Sequence, residues 1–104
     1  MHVFNTHLHH PIPDDIIRLH QIQGALDWIN KKVKSQEDIV ILMGDFNAEP
    51  QSLTYREIIK EGFKSSYFEA NKSEPKITFP TGLQAPYMDT DPPLTVDFIF
   101  YRVG

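Results

Sequence analysis

Three polar groups interrupt apolar segments of the sequence, and their residue types are those of hydrolytic and binding sites. They are Asn5-Thr6-His7, Gly44-Asp45-Phe46-Asn47 and Asp97. Each group alone has an ordinary structural explanation, because a strand-end Asp-x-Asn often satisfies loop backbone groups and a lone histidine or aspartate often pairs with a neighbour. Together, on segments that can be adjacent strands of one sheet, the three groups favour a shared functional site.

The elements around these groups predict an α/β chain. Residues 3–8 read as a short strand with Val3, Asn5 and His7 on one face. A helix is expected over residues 14–34, because its apolar positions recur at steps of three and four. The apolar run at 39–43 predicts a central strand covered on both faces, and it ends at Gly44. The loop that follows lies at a carboxyl edge, where open α/β sheets usually bind ligands.

The second half of the chain carries weaker signals. Ser52 is expected to cap a short helix that runs to about residue 61 and ends at Gly62. Residues 63–68 are a candidate strand. Residues 78–95 contain four prolines and predict an ordered loop. Residues 96–101 form a final apolar strand that contains Asp97.

Composition narrows the possible classes of protein. The 104 residues are 40% hydrophobic, which fits one small domain. The sequence has no cysteine, so disulfides and thiolate-bound zinc are excluded. A net charge of −4 argues against a general polyanion-binding surface, although a bound metal ion can supply local positive charge. No apolar run reaches the length of a membrane span.

Two other metal sites are weaker hypotheses. His7 and His9 would share a strand face, but the sequence offers no clear third ligand for zinc. Asp89-Thr90-Asp91 has the oxygen ligands that calcium prefers, and a solvated loop beside the substrate is the favoured interpretation.

The order and spacing of the polar groups resemble the endonuclease/exonuclease/phosphatase superfamily, which includes nucleases, deadenylases, sphingomyelinases and inositol-phosphate phosphatases. The resemblance covers nearly the whole chain, and Gly-Asp-Phe-Asn after an apolar strand is its most specific element. The matching segments are Asn5-Thr6-His7-Leu8, Arg18 and Gln21 on the helix, residues 41–50, Thr78-Phe79, and Val96-Asp97-Phe98-Ile99.

The resemblance implies a fold and a set of roles. The fold is a four-layer α/β sandwich, of which residues 1–104 would be the C-terminal portion, one sheet with flanking helices. Asp45 would orient and help deprotonate the attacking water and contact the metal, Mg²⁺ or alternatively Mn²⁺. Asn47 would donate to the phosphate and fix Asp45, His7 would donate to a nonbridging oxygen, and Asn5 would support the site. Asp97 would orient a later histidine.

This sequence departs from the family pattern at two points. No histidine follows Asp97, and no residue matches the glutamate that is the family's principal magnesium ligand. A single sheet with one apolar face uncovered predicts that the chain binds a complementary half-domain, pairs with a second copy of itself, or is a fragment of a longer protein.

Three functions therefore stay open. The leading one is metal-dependent hydrolysis of a phosphoester in a nucleic acid, a nucleotide or a phospholipid head group, with a phosphodiester as the favoured substrate. The alternative is a catalytically inactive half-domain that acts as an interaction or assembly module. An unrelated nucleotide binder ranks third, because the sequence has no Gly-rich phosphate loop.

Overall fold

A computed structural model describes residues 1–79 and 94–103 of the chain. In chain order the elements are β1 (His2–His7), α1 (Asp15–Lys32), β2 (Ile39–Asp45), α2 (Leu53–Lys60), β3 (Lys64–Ser65), α3 (Ser66–Asn71) and β4 (Asp97–Val103). The strands form one mixed sheet in the order β1-β2-β4-β3. The predicted α/β class, a sheet with flanking helices, is confirmed.

The pairing of the strands brings their polar ends to one rim. β1 runs parallel to β2, with His7 opposite Asp45, and α1 supplies the crossover that a parallel pair needs. β4 runs antiparallel to β2, with Asp97 opposite the same Asp45. The C-terminal ends of β1 and β2 and the N-terminal end of β4 therefore meet at one edge of the sheet.

The core lies between one face of the sheet and the helices α1 and α2. The predicted stripe of α1 is confirmed, since Ile22, Leu26 and Ile29 are buried and pack in the same cluster as Leu42 and Phe100. Aromatic rings fill the space under the rim, where Phe46 contacts both Phe98 and Phe100 edge to face. This packing anchors the segment after β2 to β4.

The opposite face of the sheet is open in the described part of the chain. The prediction that β2 is covered on both faces is wrong there, because α1 and α2 both cross the same side. Large apolar side chains are exposed on the open face as a result: Val3, Ile39, Ile99 and Val103.

Helix boundaries follow local signals. Ser52 caps α2, accepting a hydrogen bond from the Tyr55 backbone N–H at 3.1 Å, and Gly62 takes a φ of +92° after the helix, as predicted. The strand predicted at 63–68 is reduced to Lys64–Ser65, because the Ser65 hydroxyl caps α3 instead. Of the predicted loop at 78–95, residues 80–93 lie outside the described residues, and Phe79 pairs with Leu94 on either side of them. Among the described helices, none is long and apolar enough to cross a membrane.

Candidate active site

The rim of the sheet carries the predicted site residues on neighbouring strands. Asn5 and His7 point to the open face from β1, since exposed and half-buried positions alternate along that strand. Asp45 ends β2 and Asp97 begins β4, directly opposite each other. The structure thus brings four of the five predicted residues to one edge, from three strands.

An imidazole and a carboxylate meet at the centre of this rim. His7 Nε2 lies 3.6 Å from Asp45 Oδ2. The His7 side chain is 74% exposed and that of Asp45 is 34% exposed. The pair is therefore open to an incoming ligand, with a donor and an acceptor side by side.

Asn47 occupies a more buried position than its sequence neighbour Asp45. Its backbone φ is +49°, and only 5% of the residue is exposed. Its backbone N–H donates to Asp45 Oδ1 at 2.9 Å, and its side-chain Nδ2 donates to the Leu8 carbonyl at 2.8 Å. The left-handed turn at Asn47 directs its side-chain amide toward the end of β1.

Hydrogen bonds to Thr78 hold the backbone at Asp97, where β4 begins. The Thr78 hydroxyl accepts hydrogen bonds from the backbone N–H groups of Val96 at 2.9 Å and Asp97 at 3.1 Å. Partial burial raises the pKa of the Asp97 carboxyl, and the negative charge of Asp45 acts in the same direction, while Thr78 and His7 oppose the shift. The two carboxyl groups of the rim are therefore close enough to influence each other.

Gly44 is a steric requirement of the rim that the sequence alone indicated only as the end of an apolar run. Its φ is +138°, and a Cβ at this position would lie 2.0 Å from the Thr6 carbonyl oxygen and 2.8 Å from Asn5 Oδ1. Only glycine lets β2 approach β1 this closely beside Asn5.

Asp45 stands between two cavities. A cleft of about 820 Å³ runs over the open face and is lined by Asn5, Asp45, Asp97 and Tyr67 of α3 among others. A smaller cavity of about 320 Å³ lies on the other side, where His7, Asp45 and Asn47 face apolar walls that include Phe79 and Leu94. A ligand that contacts Asp45 can therefore extend in either direction.

The described residues do not make a complete metal site. No group of three or more His, Asp or Glu side chains suited to a metal ion occurs among residues 1–79 and 94–103. His9 lies beyond the end of β1 and pairs with Asp14 at 2.8 Å, so it does not join His7 in the zinc set that a shared strand face would give. The candidate calcium ligands Asp89 and Asp91 lie outside the described residues.

The structure is thus an α/β protein whose mixed sheet carries carboxylate, imidazole and amide groups at one rim. The family model for the Endonuclease/Exonuclease/phosphatase family matches residues 2–104. The chain therefore belongs to that family, whose fold serves metal-dependent hydrolysis of phosphoesters.

Similar solved structures show the same fold over most of this chain. The human Nocturnin catalytic domain with bound sulfate anion is similar at a TM-score of 0.71, with 24% identity over 93% of this chain and 33% of that one. TDP2 from C. elegans is similar at a TM-score of 0.65, with 17% identity, 98% of this chain and 32% of that one. An uncharacterized calcium-binding protein from Arabidopsis thaliana is 33% identical over an alignment of 75 residues, which covers 67% of this chain and 16% of that protein. The chain thus spans about a third of these solved structures and a smaller part of the curated relative.

Proposed function

We propose that this chain carries the phosphate-binding rim of a metal-dependent phosphoester hydrolase, with phosphodiesters as the preferred class of substrate. The observation that carries the proposal is the approach of His7 Nε2 to Asp45 Oδ2 at 3.6 Å, beside Asn47 and opposite Asp97, in a member of this family. A water molecule bound to Asp45 would attack a phosphate held by the neighbouring donors.

The exposures and bonds of the rim support distinct roles. Asp45 Oδ1 accepts a hydrogen bond from the Asn47 backbone N–H, and this bond fixes the carboxylate. The other oxygen, Oδ2, faces His7. In the proposal, Asp45 orients the water and accepts its proton, and His7 donates to a nonbridging oxygen. Asn47 has a second amide hydrogen besides the one that bonds to Leu8, and this hydrogen is proposed to reach the phosphate.

Asn5 and Asp97 have supporting roles in the proposal. Asn5 lies on the open face beside Gly44 and would add a hydrogen bond to the substrate. Asp97 would orient a histidine, and since none follows it in this sequence, that histidine would come from outside these residues. Partial burial raises the pKa of Asp97 because it disfavours the ionised carboxylate, and a neighbouring cation would stabilise that ionised form.

Mg²⁺, with Mn²⁺ as the alternative, is the cofactor that the proposal requires. Asp45 is its proposed ligand within this chain, and a divalent ion would neutralise charge on the phosphoryl oxygens. Because the described residues hold no complete ligand set, the other ligands must come from elsewhere. Residues 1–104 are accordingly proposed as the C-terminal portion of a larger catalytic domain.

The open face of the sheet supports the matching proposal for a partner. Apolar side chains of three strands, among them Val3, Ile39 and Ile99, are exposed on this face. Covering them removes apolar surface from water at about 25 cal/mol per Å². A complementary half-domain, or a second copy of the chain, would bury this face and bring ligands to the rim.

The alternative is a catalytically inactive half-domain that serves as an interaction module. The incomplete ligand set among the described residues, together with the open apolar face, favours this alternative for the chain by itself.

One assay separates the two functions. Magnesium-dependent hydrolysis of bis-p-nitrophenyl phosphate is measured with the chain alone and with a complementary half-domain taken from a family member. We expect activity in the paired form that falls at least about 100-fold in Asp45→Ala, as expected for loss of a general base. Asp27→Asn, an exposed carboxylate change on α1, is the matched control and should retain the activity. A paired form that binds tightly but turns over no faster than its Asp45→Ala variant would leave the interaction module as the function.

A further inference from the structure

The chain leaves the sheet after β1 and lies against the N-terminal half of α1, where two side chains hold His9 by its backbone. The His9 N–H donates to Gln21 Oε1 at 3.0 Å, and the His9 carbonyl accepts from Arg18 Nη1 at 3.1 Å. Arg18 and Gln21 are one turn apart on the same helix and are called here the α1 clamp. The clamp fixes both hydrogen-bonding groups of a residue two positions after His7.

Arg18 does more than hold His9. The residue is 1% exposed, and its guanidinium also donates to the carbonyls of Pro11, at 2.7 Å, and Ile12. Three carbonyls of an irregular segment are thus satisfied by one planar, permanently charged group. A buried arginine is costly to desolvate, so its retention here requires these bonds.

The same guanidinium is linked to the segment that follows β2. Arg18 Nε lies 3.4 Å from Asp15 Oδ1. The Asp15 carboxylate in turn accepts from the Leu53 N–H at 2.8 Å and from the Thr54 hydroxyl at 2.7 Å, at the start of α2. Arg18 therefore connects the two loops that leave the rim.

Leu8, the residue before His9, is hydrogen-bonded to two residues of the site. Its carbonyl accepts from Asn47 Nδ2 at 2.8 Å, and its N–H donates to the Asp45 carbonyl at 3.0 Å. Any displacement of His9 moves this carbonyl, and with it the amide that bonds to it. The path from the clamp to Asp45 contains only direct bonds.

We propose that Arg18 and Gln21 are positioning residues, which hold the segment after β1 so that Leu8 orients Asn47 and His7 faces Asp45. This inference rests on the proposed function for its catalytic consequence, while its structural consequence is measurable in the chain alone. Neither residue contacts the space beside His7 and Asp45 in which a phosphate would lie, so their effect reaches the site through Leu8.

The first test uses Gln21, because it is exposed and its replacement leaves the core intact. Gln21→Ala removes the bond that holds the His9 N–H, so the bond from the Leu8 N–H to the Asp45 carbonyl should open more often. Hydrogen exchange of the Leu8 backbone amide should therefore speed up by about fivefold to tenfold, and the NMR signals of the Asn47 side-chain amide should shift. Gln21→Glu keeps an acceptor oxygen and should restore both readings. Gln23→Ala is the matched control, since this exposed glutamine lies about 200° around the helix from Gln21.

Arg18→Lys and Arg18→Met form the second series, and Arg102→Met is their control. Arg102 also holds a loop carbonyl, that of Glu61 at 2.9 Å, but it lies at the far end of the sheet, opposite Val40. All variants are compared at a urea concentration that gives equal fractions of folded protein. The Arg18 variants should shift the Asn47 amide signals while Arg102→Met leaves them in place.

The activity arm uses the chain paired with its complementary half-domain. Arg18→Met should lower kcat by about 100-fold with little change in KM, as for a displacement of roughly 1 Å at the reacting groups, and Arg18→Lys should recover part of the loss. If the wild-type pair is inactive, the proposed function fails while the NMR arm still decides the clamp. Unchanged Leu8 exchange and Asn47 signals in both Gln21→Ala and Arg18→Lys would overturn the inference. An unchanged kcat in an active pair would overturn its catalytic part.

Discussion

Replacing Gly44 by alanine is the most direct test of how the rim is built. In the folded chain the added Cβ would lie 2.0 Å from the Thr6 carbonyl oxygen, whereas such contacts are essentially never shorter than 3.0 Å. β1 and β2 would therefore have to separate by at least 1.0 Å at this level. The obstructing atom is backbone, so no side-chain rotation can relieve the contact.

The expected loss in the free energy of unfolding has two sources, backbone strain and broken hydrogen bonds. A non-glycine residue at a φ of +138° is strained by about 1–3 kcal/mol. A separation of 1 Å breaks the ladder hydrogen bonds beside Thr6 and His7, at about 1 kcal/mol each. The sum is about 3–5 kcal/mol, which is a large part of the roughly 5–15 kcal/mol that stabilises a domain.

Urea unfolding followed by the fluorescence of Trp28 measures this cost, because the single tryptophan packs on Phe4 of β1. Gly24→Ala is the matched control. Its Cβ meets nothing within 4 Å, and α1 should gain about 0.5–1 kcal/mol from the better helix former. A Gly44→Ala chain within 1 kcal/mol of wild type would refute the steric reasoning.

Three further changes probe other parts of the fold. Tyr55→Phe removes the hydrogen bond from the phenol to Glu74 and should cost about 1 kcal/mol at neutral pH. Burial raises the pKa of Tyr55 above its ordinary 10.0, with Glu74 adding to the shift, so its contribution is complete below pH 10 and is lost as the pH rises further. The stability difference between wild type and Tyr55→Phe should therefore narrow in denaturant titrations above pH 10, and a constant difference would contradict the assigned bond. Ser52→Ala should lower the unfolding free energy by about 1 kcal/mol through loss of the α2 cap, as read from thermal melts. Ile99→Asp, on the open face, should change the stability of the chain alone by less than about 0.5 kcal/mol but abolish association with a half-domain in light scattering.

Much of the fold could be predicted because each element has a local cause. The apolar stripe of α1 and the serine cap of α2 lie in the sequence itself, and both appear where expected. Alternation along β1 predicted that Asn5 and His7 share a face. The strand predicted at residues 63–68 was too long, because two local signals compete there. The Ser65 hydroxyl caps α3, so the strand ends after two residues.

The arrangement of the site is less accessible to sequence reasoning, because it depends on contacts between distant segments. The left-handed conformation of Asn47 is stabilised by a bond to Leu8, 39 residues away. Nothing in the local sequence predicts that bond. The clearance at Gly44 likewise depends on the backbone of a different strand.

The parallel pairing of β1 and β2 explains why these distant contacts converge on Asp45. In that register His7 lies opposite Asp45, and the next residue, Leu8, can reach back to the Asp45 carbonyl with its N–H and forward to Asn47 with its carbonyl. A slip of one residue would move His7 to the covered face and take Leu8 out of reach of both groups. The close approach at Gly44 and the turn at Asn47 therefore both depend on this β1–β2 register. Chemistry at the rim requires the register, the glycine and the turn together.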